Sequence, residues 1–152
     1  MIICTTTRPG CRYDALSGRQ RLVILDSSAL MAIILREPEA DRFSDAMLGS
    51  HVSMSAANWM EAAMIVDSNR DPVLRLRFEE LIDALHVKIV AVSPEIAVGA
   101  RRAHQRYGRG HHAGRLNYGD CFAYATSAVL GEPLLFKGRD FSQTDIEPAL
   151  KD

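Results

Sequence analysis

The sequence predicts an α/β fold of three layers, α/β/α, with a central parallel sheet of four to five strands. Three observations carry that expectation. Short aliphatic runs alternate with longer stretches of helical periodicity, the order that builds right-handed βαβ units. The first run, Leu22-Val23-Ile24-Leu25, has no polar alternation, as expected of a strand covered on both faces. Asp71-Pro72 and Ser93-Pro94 are helix-opening pairs that place a capping side chain before a first-turn proline.

Taken in order, residues 22–25 form the first strand and run through Asp26-Ser27-Ser28 into an apolar helix ending near Leu35. Pro38 is expected in the first turn of a second helix carrying Ala40, Phe43 and Met47 on one side, closed by Gly49-Ser50. His51 to Met54 reads as a short strand feeding a helix over residues 55–66, and the helix after Asp71-Pro72 shows Leu74, Phe78, Leu81 and Leu85 on one stripe. Lys88 to Val92 is the third strand. The helix after it buries Ile96, Ala100, Ala103 and Tyr107. A Gly- and His-containing loop over residues 108–114 leads to a helix over 117–130, a Gly131-Glu132-Pro133 turn and a fourth strand at Leu134 to Phe136, with a fifth, very short strand at Asp145-Ile146. Residues 1–20 lack periodicity and read as an extension, a short edge strand over 1–5 being the alternative, so that 21–152 make a single domain.

The chain has 152 residues, 47% of them apolar, enough for one domain with its own core. Eighteen basic residues against nineteen acidic ones exclude a globally basic nucleic-acid binder, so any such contact is local. The three cysteines include no Cys-x-x-Cys pair, which argues against a disulfide framework or structural zinc and for a reducing, cytoplasmic setting. No apolar run approaches the roughly 18 residues that a membrane span needs.

The chemistry lies in isolated acids. Asp26 ends the first strand and is the only charge between Leu22 and Leu35. Glu61 is the only charge from Met54 to Val66, with Ala57, Asn58, Met64 and Ile65 as helical neighbours, and Asp120 the only one from Leu116 to Gly131. Each has a plainer reading: a helix cap for Asp26, a capping box with Asn117 for Asp120, a solvent-facing gap for Glu61. Asp140 stands in a polar loop after the last clear strand. In an open parallel sheet, strand-end loops and the helices they start gather at one edge. Four carboxylates meeting there without cations of their own would repel and raise one another's pKa, and a hard divalent cation, Mg²⁺ or Mn²⁺, removes that conflict with oxygen ligands alone. Such a centre activates water for attack on a phosphodiester.

The order Asp26-Ser27-Ser28-Ala29, Glu61 in an alanine-rich helix, Asn117-Tyr118-Gly119-Asp120-Cys121, then Lys137-Gly138-Arg139-Asp140-Phe141 resembles the PIN-domain ribonucleases, and most closely the VapC toxins of bacterial toxin–antitoxin pairs. The resemblance spans Leu22 to the carboxyl end. It implies a Mg²⁺- or Mn²⁺-dependent endoribonuclease, a homodimer, cleaving structured RNA such as tRNA or rRNA, and a VapB-type antitoxin that occludes the acidic pocket. By position it makes Asp26, Glu61, Asp120 and Asp140 the catalytic and metal-binding acids and Ser28 the hydroxyl supporting the first of them. Asn117 supports Asp120 as its capping partner.

From Arg101 to Arg115 the chain carries five arginines and three histidines without one acid. Arg109, His111, His112 and Arg115, with Lys137 and Arg139 flanking Asp140, are the expected phosphate contacts. Cys121, Met60 and Met64 read as core packing. Two other classes compete: a PIN-like binding module without catalysis, and a receiver-like phosphoacceptor. The second needs an Asp ending a central strand other than the first, and neither 51–54 nor 88–92 ends in one.

Overall fold

A computed structural model describes residues 21–110 and 114–151. The elements follow in the order β1 (Leu22–Leu25), α1 (Ser27–Ile34), α2 (Ala40–Met47), β2 (His51–Ser55), α3 (Ala56–Ser68), α4 (Pro72–Ala84), β3 (Lys88–Val90), α5 (Pro94–Tyr107), α6 (Tyr118–Leu130) and β4 (Leu134–Leu135). All strand pairings are parallel, in the order β3-β2-β1-β4. Val23 and Leu25 pack with α1 to α4 on one face of the sheet, whereas Ile24 and Leu134 pack with α5 and α6 on the other, so successive β1 residues build two cores and the three layers follow.

The direction of winding reverses at β1. The chain moves outward through β2 to β3, then crosses the sheet's other face and returns to pair β4 with β1 on its free side. Neighbouring loops are thereby drawn apart at the carboxyl end of β1, the place where open α/β sheets form a crevice. Asp26 is the residue at that point.

Five helices begin on side chains that accept N–H groups of their first turn: Asp26, Ser55, Asp71, Ser93 and Asn117. Several sequence expectations shift. Pro38 precedes α2 instead of lying in its first turn, and Glu39 takes the cap position without a side-chain cap bond. β3 stops at Val90, because it is an edge strand paired only to β2 and the chain then turns to the Ser93 cap. No strand forms at Asp145-Ile146; the backbone meets β4 two residues later, where Leu134 N–H donates to Glu147 O and Ala149 N–H to Leu134 O. Asp145 instead accepts from Tyr124 and Arg106. Met60 and Met64, expected in the core, are 52% and 56% exposed, because α3 buries its Ala62, Ala63 and Val66 side. Cys121 is buried as expected. The extension over residues 1–20 lies outside the described residues.

Candidate active site

The β1 strand ends in Asp26 because α1 needs an acceptor at its start, and the same geometry sinks the carboxylate beneath the sheet edge, 1% exposed. Its Oδ2 accepts from Ser28 N–H at 2.9 Å and Ser28 Oγ–H at 2.5 Å, and its Oδ1 accepts from Asn58 Nδ2 at 3.2 Å. Ser28 Oγ in turn accepts the backbone N–H of Lys137 at 3.0 Å, tying the loop after β4 to the first acid. Burial pushes the Asp26 carboxyl above its usual range; the Ser28 bonds oppose the rise, and the charge of Glu61 adds to it.

Asp120 sits in the first turn of α6, where Asn117 and Asp120 make a complete capping box: Asn117 N–H donates to Asp120 Oδ2 at 2.7 Å and Asp120 N–H to Asn117 Oδ1 at 2.9 Å. The cap reading of both aspartates is therefore correct, and it leaves them buried. The Asp120 carboxyl is pushed up to about 6, first by burial, against the pull of the Asn117 N–H, and further by the charges of Asp26, Asp140 and Glu61. Cys121 beside it is driven to about 11 by burial and by Asp120, so its thiol stays protonated.

Glu61 projects from α3, half-buried, and its Oε2 accepts from Ser27 Oγ–H at 2.7 Å. The carboxylate lies against the Cα of Gly119, where any Cβ would strike both of its oxygens. Asn58, completely buried on the preceding turn of α3, closes the arrangement by donating to Asp26 Oδ1 and to Gly119 O at 3.0 Å. One amide thus clamps β1, α3 and α6 around the acids.

The three inner acids are neighbours, linked through Asn58 and Gly119 and acting on one another by charge, without forming a cage. Among the described residues, no three Asp, Glu, His or Cys side chains stand ready as a ligand group, because like charges have turned toward separate donors: Ser28 and Asn58, Ser27, and the Asn117 N–H. Asp140 is exposed in the loop after β4, near enough for its charge to act on Asp120. The donor set is carboxylate and hydroxyl oxygen beside a thiol held protonated, which suits a hard cation bound through one or two carboxylates and waters. None of the ion pairs among the described residues involves Asp26, Glu61 or Asp120.

The expected basic contacts divide. Lys137 turns its ammonium to Glu37 at 2.8 Å and Glu39 at 3.4 Å, so its contribution to the site is the backbone N–H on Ser28. Arg139, Arg109 and Arg115 are exposed, and a backbone bridge between Gly108 and Leu116 brings the last two beside the start of α6. His111 and His112 fall outside the described residues.

Sequence reasoning passed over Ser27, Asn58 and Gly119. Asn58 carried a signal, as the only amide in an apolar helix one turn before Glu61. Removing it strands Gly119 O and loosens Asp26, so Asn58→Ala is expected to cost about 2 kcal/mol in urea denaturation. A cost below about 0.5 kcal/mol would mean that the clamp contributes nothing.

The PIN domain family model matches residues 23–147. Ribonuclease VapC30 of Mycobacterium tuberculosis is 39% identical over 125 residues, covering 82% of this chain and 95% of that protein. Two solved structures share the fold: M. tuberculosis VapC20, described as a Sarcin-Ricin loop cleaving toxin, at 12% identity and TM-score 0.65, covering 82% of this chain and 95% of that one; and a chain of a toxin–antitoxin complex from Klebsiella pneumoniae at 19% identity and TM-score 0.62, covering 81% and 92%. The three-layer α/β/α fold with a buried acid at its switch point and the match to the family model together define the PIN-domain class. The chain belongs to the PIN-domain family, among the VapC ribonucleases.

Proposed function

We propose that this chain is a Mg²⁺- or Mn²⁺-dependent endoribonuclease toxin acting on structured RNA, tRNA or rRNA, as a homodimer in the cytoplasm, and that a VapB-type antitoxin restrains it. The observation that carries the reading is the burial of Asp26 and Asp120, near enough for the charge of one to act on the other and with no pairing cation among the described residues, at a cost in solvation that a divalent ion offsets. The likeness to Ribonuclease VapC30 supports RNA as substrate, and the likeness to a chain of a toxin–antitoxin complex supports the antitoxin.

Asp26, Glu61 and Asp120 would hold the ion, with Asp140 at the rim. The ion, when bound, supplies an activated water and neutralises charge on the phosphodiester. The chain's own part is positional. Ser28 and Asn58 keep both Asp26 oxygens oriented, Ser27 fixes Glu61, the capping box fixes Asp120, and Arg109, Arg115 and Arg139 draw phosphate toward the mouth. The test is cleavage of total tRNA and of rRNA by purified protein with Mn²⁺, Mg²⁺ or EDTA. Absence of cleavage under every ion would leave the chain a binding module.

Gly119→Ala isolates Glu61 without touching a carboxylate. Alanine favours a helix by up to about 1 kcal/mol over glycine, so α6 itself gains, but the new methyl displaces the Glu61 carboxylate. Cleavage is expected to fall at least about tenfold while the fold persists by far-ultraviolet circular dichroism. Unchanged cleavage would release Glu61 from the site.

A further inference from the structure

A second concavity, of about 540 Å³, opens between α5 and the first turn of α6. Buried Leu116 and Cys121 line its depth, Tyr118 and Phe122 its wall, and Arg101 and Arg109 its edge. Tyr118 is the unusual member. It follows Asn117 and precedes Gly119-Asp120, so the capping box that fixes Asp120 also fixes the backbone that carries this ring, yet the residue is 77% exposed. Large aromatics ordinarily bury most of their area, and here an edge-on contact with Phe122, ring centres 4.9 Å apart at 64°, steadies the ring.

We propose that this groove is a nucleobase subsite, in which one base unstacked from the RNA lies against Tyr118 while Arg101 and Arg109 hold its flanking phosphates. The proposal rests on the reading of the acidic pocket as an RNA-cleaving centre and adds a residue that selects which nucleotide enters. Charge decides the occupant. Among the described residues no acid lines the groove, its depth is apolar and uncharged, and its edge is cationic, which suits a planar uncharged base on a polyanionic backbone. Base–aromatic stacking needs only an exposed π-face and tolerates any base, so Tyr118 selects for an unpaired nucleotide more than for a sequence. One residue, Gly119, separates Tyr118 from Asp120 in the first turn of α6, so the groove and the acids lie on different sides of the same helix start, and the RNA strand passes over that helix end from one to the other.

The test uses the full chain in EDTA, where binding is read without cleavage, by fluorescence anisotropy. The probes are labelled single-stranded oligoadenylate of about twelve nucleotides and an RNA duplex of the same length. Tyr118→Ala and Tyr118→Leu are expected to weaken the single strand about tenfold, Tyr118→Phe to stay within about twofold, and duplex affinity to stay within about twofold for all three. Leucine keeps the apolar bulk and removes the π-face, so a folded leucine variant that binds the single strand as wild type overturns the proposal. Equal loss on strand and duplex overturns it too. So does a Tyr118→Ala variant whose RNA affinity is intact and whose dimer dissociates in sedimentation, since a second copy would then own the groove. Wild-type cleavage with Mn²⁺, run alongside, separates the two readings: cleavage with an indifferent Tyr118 removes only the subsite, and stacking without cleavage removes only the nuclease.

Discussion

Asp26→Asn is expected to abolish RNA cleavage, by at least about a thousandfold, in protein that remains folded. Asp26 is the acid most thoroughly enclosed by the fold, with Ser28 on one oxygen and Asn58 on the other. An asparagine has the same shape and no charge, so it cannot draw a cation to the end of β1. It also has one oxygen where the aspartate has two. Its amide group must face either the Ser28 N–H or the Asn58 amide, both of which donate, and one cap or clamp bond is lost for about 1 kcal/mol. Relief of a buried charge opposes that loss, so melting in EDTA should stay within a few degrees of wild type. Cleavage with Mn²⁺ and melting on the same preparation check both halves. Full activity would take Asp26 out of the chemistry; unfolding would make it a structural cap alone.

The metal-free protein should lose stability as pH rises toward neutrality, and a divalent ion should restore it. The folded-state pKa of Asp120, about 6, lies above its ordinary value of 3.8. Its favourable contribution is therefore complete below the ordinary value and disappears as pH climbs through about 6; Asp26, shifted in the same direction, reinforces it. The full Asp120 shift corresponds to about 3 kcal/mol, which solvent screening of a partly exposed carboxyl reduces to about 2 kcal/mol, or roughly 6 °C for a domain of this size. Asp120→Asn keeps an oxygen for the Asn117 N–H and removes the charge, so in EDTA it should melt above wild type at pH 7 and level with it at pH 4. Mn²⁺ at a hundredfold over its dissociation constant should stabilise wild type at pH 7 by about 2.7 kcal/mol and the variant far less. Parallel pH profiles for the two proteins in EDTA would contradict the buried-carboxyl account, and an equal Mn²⁺ effect on both would place the ion elsewhere.

Both expectations turn on acids that stand out in the sequence because their own segments carry no partner. Isolation of that kind is a local property. So are the strand–helix alternation, the Asp71, Ser93 and Asn117 caps, and the stripe of Ile96, Ala100, Ala103 and Tyr107, all of which the structure reproduces. Expectations failed where one helix or strand has two sides to choose between. Met60 and Met64 are as apolar as Ala62 and Val66, and only the packing of α3 on the sheet selects which pair is buried. The pairing of the Lys137 ammonium with Glu37, a hundred residues away at 2.8 Å, is likewise invisible in its own segment.

By itself the sequence determined the class of fold, the family and which carboxylates lack local partners, because hydrophobic period, capping chemistry and charge isolation are each written within about one helix length. Tertiary structure alone decided that Asn58 joins Asp26 to Gly119, that Glu61 rests where only a glycine leaves room, that Tyr118 stays open to solvent, and that the acids act on one another by charge while facing different donors. Those facts depend on which segments the switch at β1 brings face to face, and contacts between distant segments leave no periodic trace along the chain.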